Sequence, residues 1–153
     1  MDAFMTGVNL TLAAYLAGSV STAYLLTRVV KGIDIRTVGS RNAGAVNVFR
    51  EVGGWVGAAV LAVDAFKGAA VILAVRVLEL GVYAMFAGAM AVLIGHNWPV
   101  FLRFRGGKGV ATIFGLSLAV LPLWTLLSAA LALAFSLATR NVVFGIAGGV
   151  VAI

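Results

Sequence analysis

The sequence predicts an all-α, polytopic transmembrane helix bundle that forms a single integral membrane domain over residues 1–153. Its residues are 63% hydrophobic and 10% charged, against about 45–50% and about 25% in soluble domains. Several runs reach the roughly 20 residues that a helix rising about 1.5 Å per residue needs to cross hydrocarbon. The polar residues gather in short segments between those runs.

Residues 1–6 contain Asp2 and no Lys or Arg, so the basic start of a cleaved signal peptide is missing and the first apolar segment is expected to stay. That first span covers 7–30, read as one helix. The polar connection after it runs to Arg50, with a helical stretch expected over 42–50. A second span, 55–75, carries Asp64 and Lys67, and a third runs over 81–96. The stretch 109–138 has no charge, and as one straight helix of about 45 Å it would overshoot a hydrocarbon core of about 30 Å. Pro122 supplies a break, giving two short tilted spans, 109–121 and 123–138. A sixth apolar run begins at Asn141 and is still apolar at Ile153, which leads us to expect a chain truncated at its C-terminus. The expectation is therefore about six spans.

Orientation follows from the cations. Arg28, Lys31, Arg36, Arg41 and Arg50 lie in or beside the first connection, Arg103, Arg105 and Lys108 in the third, and Arg140 after the fifth span. The positive-inside rule puts these connections in the cytoplasm and the N-terminus outside.

Composition also excludes several chemistries. There is no cysteine, hence no disulfide or thiol nucleophile, and one histidine with five acids gives no transition-metal site. A net charge of +6 would suggest nucleic acid in a soluble protein. Here the cations sit at span ends without a set of aromatic stacking residues, which fits anionic headgroups or a phosphorylated small molecule and no nucleic acid.

In the first connection Gly39, Ser40, Arg41, Asn42, Ala43 and Gly44 combine backbone freedom with hydrogen-bond donors, a composition suited to a concave anion site. Arg36, Arg41 and Arg50 could add forked contacts to phosphate oxygens. A basic loop lying on acidic lipid is the competing account. In the third, Pro99 should end the helix containing His96, and Gly106-Gly107-Lys108-Gly109 then enters the next span. Glycines let a backbone approach a ligand, free helix-start amides face it, and Lys108 supplies a point charge. GGKG lacks the GxxxxGK[ST] spacing and the preceding strand of a nucleotide-binding P-loop.

His96 could orient a substrate, transfer a proton or cap its helix, and Asn97 could serve similarly. Asp64 and Lys67 share a helix face, should pair, and imply a polar cavity: either they hold the bundle together, or Lys67 meets a substrate anion with Asp64 orienting it. Gly18 with Ser19, Gly53 with Gly57, and Gly145 with Gly149 are placed for close helix packing. Ser19 and Ser21 should bond their own backbone unless they reach a site. Trp55 and Trp98 mark interfacial levels.

The segments GSRNAGAVNVFREVG, DAFKG and GHNWPVFLRFRGGKGVAT closely resemble, in that order and spacing, the bacterial acyl-phosphate-dependent glycerol-3-phosphate acyltransferases. The resemblance extends from Gly18-Ser19 to about Arg140, and a GHxxPxFxxFxGGKGVAT pattern is matched from His96 and Pro99 through Thr112. It implies a membrane enzyme of usually seven spans with an external N-terminus and a cytoplasm-facing site in the bacterial inner membrane. Such an enzyme transfers a fatty acyl group from acyl phosphate to the 1-hydroxyl of glycerol 3-phosphate, giving lysophosphatidic acid and phosphate without a cofactor.

Carried onto this chain, the resemblance implies Ser19, Arg36, Asn42, His96 and Lys108 as catalytic residues. Ser40, Arg41, Asn47, Arg50, Lys67, Gly106, Gly107 and Gly109 would bind substrate phosphates, and Asp64, Asn97, Thr112 and Arg140 would orient them. Arg41 stands where the family has glycine, Val46 where it has threonine, and Ser21 and Ala23 where it has proline and glycine. After Arg140, Asn141, Val142, Val143 and Ile146 replace a hydroxyl-bearing segment. The rival reading is a non-catalytic relative that binds phosphorylated metabolites or lipids.

Overall fold

In a computed structural model, which describes residues 2–139, the chain is entirely helical. It comprises α1 (Ala3–Ser19), α2 (Thr22–Lys31), α3 (Ala45–Glu51), α4 (Gly54–Val77), α5 (Val82–Asn97), α6 (Val110–Val120) and α7 (Pro122–Thr139), with short 3-10 turns at Ile35–Thr37 and Val100–Leu102. Residues up to Leu116 form one compact unit, and those from Ser117 a second. Arg140 and the apolar run from Asn141 lie outside the described residues.

Three segments are long and apolar enough to cross a membrane, Ala3–Lys31, Gly54–Val77 and Val82–Leu102, with two shorter apolar helices, Val110–Val120 and Pro122–Ala138. The expected six spans are thus, among the described residues, three long segments and two short helices. The polytopic all-α architecture stands.

Within the first unit, glycines set the helix spacing. Gly7 meets Ala84 at one end of the α1–α5 contact and Gly18 meets Val92 and His96 at the other, so the two helices run the same way. A β-carbon on Gly18 would strike the Val92 carbonyl, and one on Gly95 the Tyr15 carbonyl. Main chain therefore lies on main chain, the close approach that small residues permit in lipid. Gly68 faces the Thr112 carbonyl and Gly115 the Ala65 carbonyl in the same way, joining α4 to α6. Of the second small-residue pair, Gly57 lies under Phe49 of α3 while Gly53 has open space around it; Gly145 and Gly149 fall outside the described residues.

α3 and the turn before it close over one end of α4, around a core of Ala23, Ile35, Ala43, Val48 and Val60. Large side chains such as Phe66, Val77, Phe86 and Leu73 are left exposed, as lipid-facing residues of a membrane bundle must be.

The single helix expected over 7–30 is broken. α1 ends at Ser19, Val20 is extended, and the Ser21 hydroxyl accepts from the Tyr24 N–H to cap α2. α2 ends at Gly32, whose left-handed backbone (φ 69°) closes the last turn on the Arg28 carbonyl. The break expected at Pro122 is present: α6 stops at Val120 and Pro122 opens α7, where its missing N–H costs nothing.

The second unit is described through α7. Its Thr125 and Ser128 hydroxyls donate to the carbonyls of Leu121 and Thr125 at 2.9 and 3.0 Å, so these polar groups are satisfied inside the helix.

Candidate functional site

The polar residues of the first unit converge where the α1–α2 break, the middle of α4, the end of α5 and the start of α6 meet. Asp64, 2% exposed, accepts from the Thr22 hydroxyl and from Lys67 Nζ, each at 3.0 Å. Lys67 also donates to the Val20 carbonyl and, at 2.7 Å, to the Thr22 hydroxyl. The expected Asp64–Lys67 pair therefore forms. An ammonium has three N–H donors, and in Lys67, expected to bind substrate phosphate, three protein oxygens take them.

His96 lies on the other side of this cluster. Its Nδ1 is 3.4 Å from the Thr112 hydroxyl and 4.0 Å from Asp64 Oδ1, so the acid that sequence proximity did not reveal is supplied by α4. Its Nε2 faces Gly107, where an added β-carbon would clash with that nitrogen and lie 2.8 Å from the Ala43 carbonyl. The first and third connections and the imidazole edge thus share one point. The Ser19 hydroxyl at the end of α1 is fully buried and has no hydrogen-bond partner, contrary to the back-bonding expected of it. Asn97 Oδ1 is likewise buried and unpartnered.

Arg36 fastens the two basic connections together. Its Nε and Nη2 bind the Asp34 carboxylate at 3.0 and 2.7 Å, its Nη1 donates to the Leu102 carbonyl at 3.0 Å, and its guanidinium lies 5.0 Å from the Tyr24 ring centre. Asp34 and Leu102 were not foreseen as partners; the i,i+2 spacing of Asp34 and Arg36 was the only available signal. The forked bond from Arg36 holds the Asp34 carboxyl below its ordinary range, helped by the Arg36 N–H and opposed by partial burial. A depressed carboxylate stabilises the fold above its unfolded value of about 3.9 and loses that contribution as pH falls through the folded value. Between about pH 5 and pH 3 the wild-type melting temperature in detergent should therefore fall more steeply than that of Asp34→Asn. Parallel slopes would show that the latch carries no stability.

Asn47, expected among the phosphate ligands, is committed to its own loop. Its Oδ1 accepts from the Ser40 N–H at 3.0 Å, and its Nδ2 faces the Ile35, Val38 and Asn42 carbonyls at 3.1–3.2 Å. Gly106 and Gly107, expected to bind phosphate, have bonded amides as well. Their N–H groups donate to the Asn97 and His96 carbonyls at 3.1 Å, closing the end of α5 instead of remaining free for an anion. Their lack of side chains still matters, because a β-carbon on Gly106 would strike the His96 carbonyl.

Lys108, Arg41, Arg50 and Ser40 are exposed, Asn42 is half-buried, Gly109 is buried beside Asn97, and Thr112 is buried beside His96. Arg41 adopts φ 58°, a left-handed conformation natural to glycine. This conformation fits the glycine that the family resemblance implies at this position. Among the described residues no cluster of His, Cys, Asp or Glu could hold a metal ion. A separate cavity of about 520 Å³ lies between the first turns of α1 and α5, lined by Phe4, Val8, Leu12, Leu80, Tyr83 and Ala84. It is at the opposite end of α5 from His96, and Thr11, Glu79 and Tyr83 are its polar lining residues.

Comparison with known proteins bears on this site. A family model described as glycerol-3-phosphate acyltransferase matches residues 8–153. A glycerol-3-phosphate acyltransferase of Thermoanaerobacter pseudethanolicus is 45% identical over 92% of this chain and 71% of its own. One of Clostridioides difficile is 41% identical over 94% and 72%. A crystal structure of PlsY (YgiH), an integral membrane glycerol 3-phosphate acyltransferase in its glycerol 3-phosphate form, superposes with a TM-score of 0.88 at 34% identity, covering 96% of this chain and 74% of that one.

Proposed function

We infer the reaction of this chain from the family to which it belongs, the glycerol-3-phosphate acyltransferases. It transfers a fatty acyl group from acyl phosphate to the 1-hydroxyl of glycerol 3-phosphate in a multi-pass membrane setting, producing lysophosphatidic acid and inorganic phosphate.

The observation that carries the site assignment is the junction of the two basic connections over His96: Arg36 donates to the Leu102 carbonyl, and Gly107 lies against both His96 and the Ala43 carbonyl. Both substrates bear phosphate, and the two connections that meet here carry the exposed cations Arg41 and Lys108 beside Ala43 and Gly107 in the chain, next to a buried imidazole. Such a concentration of cations can hold two anions against their mutual repulsion. The greasy acyl tail of the donor can meanwhile stay among exposed apolar side chains.

In the reaction, the 1-hydroxyl oxygen of glycerol 3-phosphate bonds to the acyl carbonyl carbon. The bond from that carbon to the phosphate oxygen breaks, and the electron pair leaves with phosphate. The hydroxyl proton passes to an oxygen of the departing phosphate. The leaving group is already good, so alignment and stabilisation of the developing oxyanion supply most of the acceleration. We assign Lys108 and the remaining donors of Arg36 to the phosphates, and His96 Nε2 and Ser19 to the reacting oxygens. Asn42 and Ser40 shape the rim, and Thr112 orients the imidazole. The basic residues of the first and third connections support a site that faces the cytoplasm.

Purified protein given palmitoyl phosphate and labelled glycerol 3-phosphate should form lysophosphatidic acid. Lys108→Ala should lower turnover by about a hundredfold, the effect of removing one charge-stabilising donor. Undiminished turnover in that variant would remove Lys108 from the site, and no product from folded wild-type protein would overturn the reaction.

A further inference from the structure

We propose that Asp64 and Lys67 form an internal clamp that positions the catalytic groups of this site: Lys67 bridges the broken α1–α2 backbone to Asp64, thereby setting Ser19 on one side while Asp64 backs His96 on the other. The inference rests on the reading that Ser19 and His96 face the reacting oxygens.

A break inside a membrane helix leaves main-chain groups without intrahelical partners, and lipid offers none. Here the extended Val20 exposes its carbonyl, and Lys67 from α4 reaches it. The same ammonium binds the hydroxyl of Thr22, the first residue of α2, and the Asp64 carboxylate. Thr22 in turn donates to the same carboxylate oxygen. The two helix ends are thus tied to one point on α4.

Ser19 is the last residue of α1, adjacent to the clamped Val20, and its buried hydroxyl is unpartnered. The same Asp64 oxygen lies 4.0 Å from His96 Nδ1, with Thr112 also beside that nitrogen and Nε2 turned toward Gly107. A one-turn error in a group of this kind is costly, because displacement of a reacting group by about 1 Å can cost about a hundredfold in rate. Lys67 acts through Ser19 and the break, and Asp64 through His96, without touching substrate.

The absence of cysteine allows a test that does not depend on turnover. Ser19→Cys introduced alone should react slowly with a small membrane-permeant maleimide. Adding Lys67→Met, or Asp64→Asn together with Lys67→Met so that no buried charge is left unpaired, should raise the labelling rate at least about tenfold as the break loosens. In protein that retains Ser19, the double variant should lose at least about tenfold in kcat while its KM for glycerol 3-phosphate changes less than about threefold, since uniform substrate binding is untouched. Unchanged labelling would overturn the clamp, as would a rise in KM with kcat intact, which would instead place Lys67 on the substrate phosphate. If wild-type protein makes no lysophosphatidic acid, the reaction assignment falls, and the labelling comparison still decides whether the clamp exists.

Discussion

Gly107→Ala is expected to reduce acyl transfer by about a hundredfold or more in a protein that still folds. The added β-carbon would clash with His96 Nε2, which belongs to a buried ring, and would lie 2.8 Å from the Ala43 carbonyl, which is main chain. Neither neighbour is the loose end of a flexible side chain, so the imidazole or the loop must move. A shift of about 1 Å at a reacting group is enough for the stated loss. The control is Gly81→Ala, where nothing lies within 4 Å of the new atom and φ is −69°; it should leave kcat unaltered. Steady-state kinetics on both variants, with thermal melts to confirm folding, make the comparison. Wild-type turnover in Gly107→Ala would mean that the contact between His96 and the third connection does not matter to the reaction.

A large loss of stability should come from Gly95→Ala. Its β-carbon would enter the Tyr15 carbonyl and lie 3.0 Å from the Ser19 N–H, forcing α1 and α5 apart along their main contact. Overpacking of this kind costs about 1–3 kcal/mol, and a fall of about 3 kcal/mol corresponds to roughly 6–12 °C in a domain of this size. Gly88→Ala on the same helix meets only the Val71 side chain at 2.8 Å, which can rotate away, so its melting temperature should fall much less. Equal melting temperatures for the two variants would show that the helices can separate without cost.

The helical architecture was legible wherever it depended on local pattern. The second and third spans, the Pro122 break and the helix following Asn42 all follow from apolar runs and from residues that start or stop helices. The interruption at Val20 was not legible, because the apolar pattern runs through it and its stabilisation comes partly from Lys67, distant in sequence. The segments that bear the chemistry were likewise identifiable. Their division between scaffold and ligands was not. Asn47 looks like a donor until its amide is seen to be spent on Ser40 and three loop carbonyls. Lys67 looks like a free cation until its three acceptors are located. The amides of Gly106 and Gly107 look available until the end of α5 takes them. Each case concerns a polar group whose partner is set by tertiary packing, information that spacing along the chain does not contain.

Arg41 is a different case. Arginine stands where the resemblance implies glycine, and its backbone is in the left-handed region. Such a turn costs a non-glycine residue about 1–2 kcal/mol.

The bonds shared by Thr22, Asp64 and Lys67 carry an evolutionary consequence. Two donors meet on one carboxylate oxygen and three acceptors on one ammonium, so a change at any of these positions strands a polar group where no solvent can rescue it. Drift at these sites must then be concerted: lineages should inherit the trio intact or exchange it as a block, and Thr22 should covary in descent with Asp64 and Lys67 although it lies more than forty positions from both.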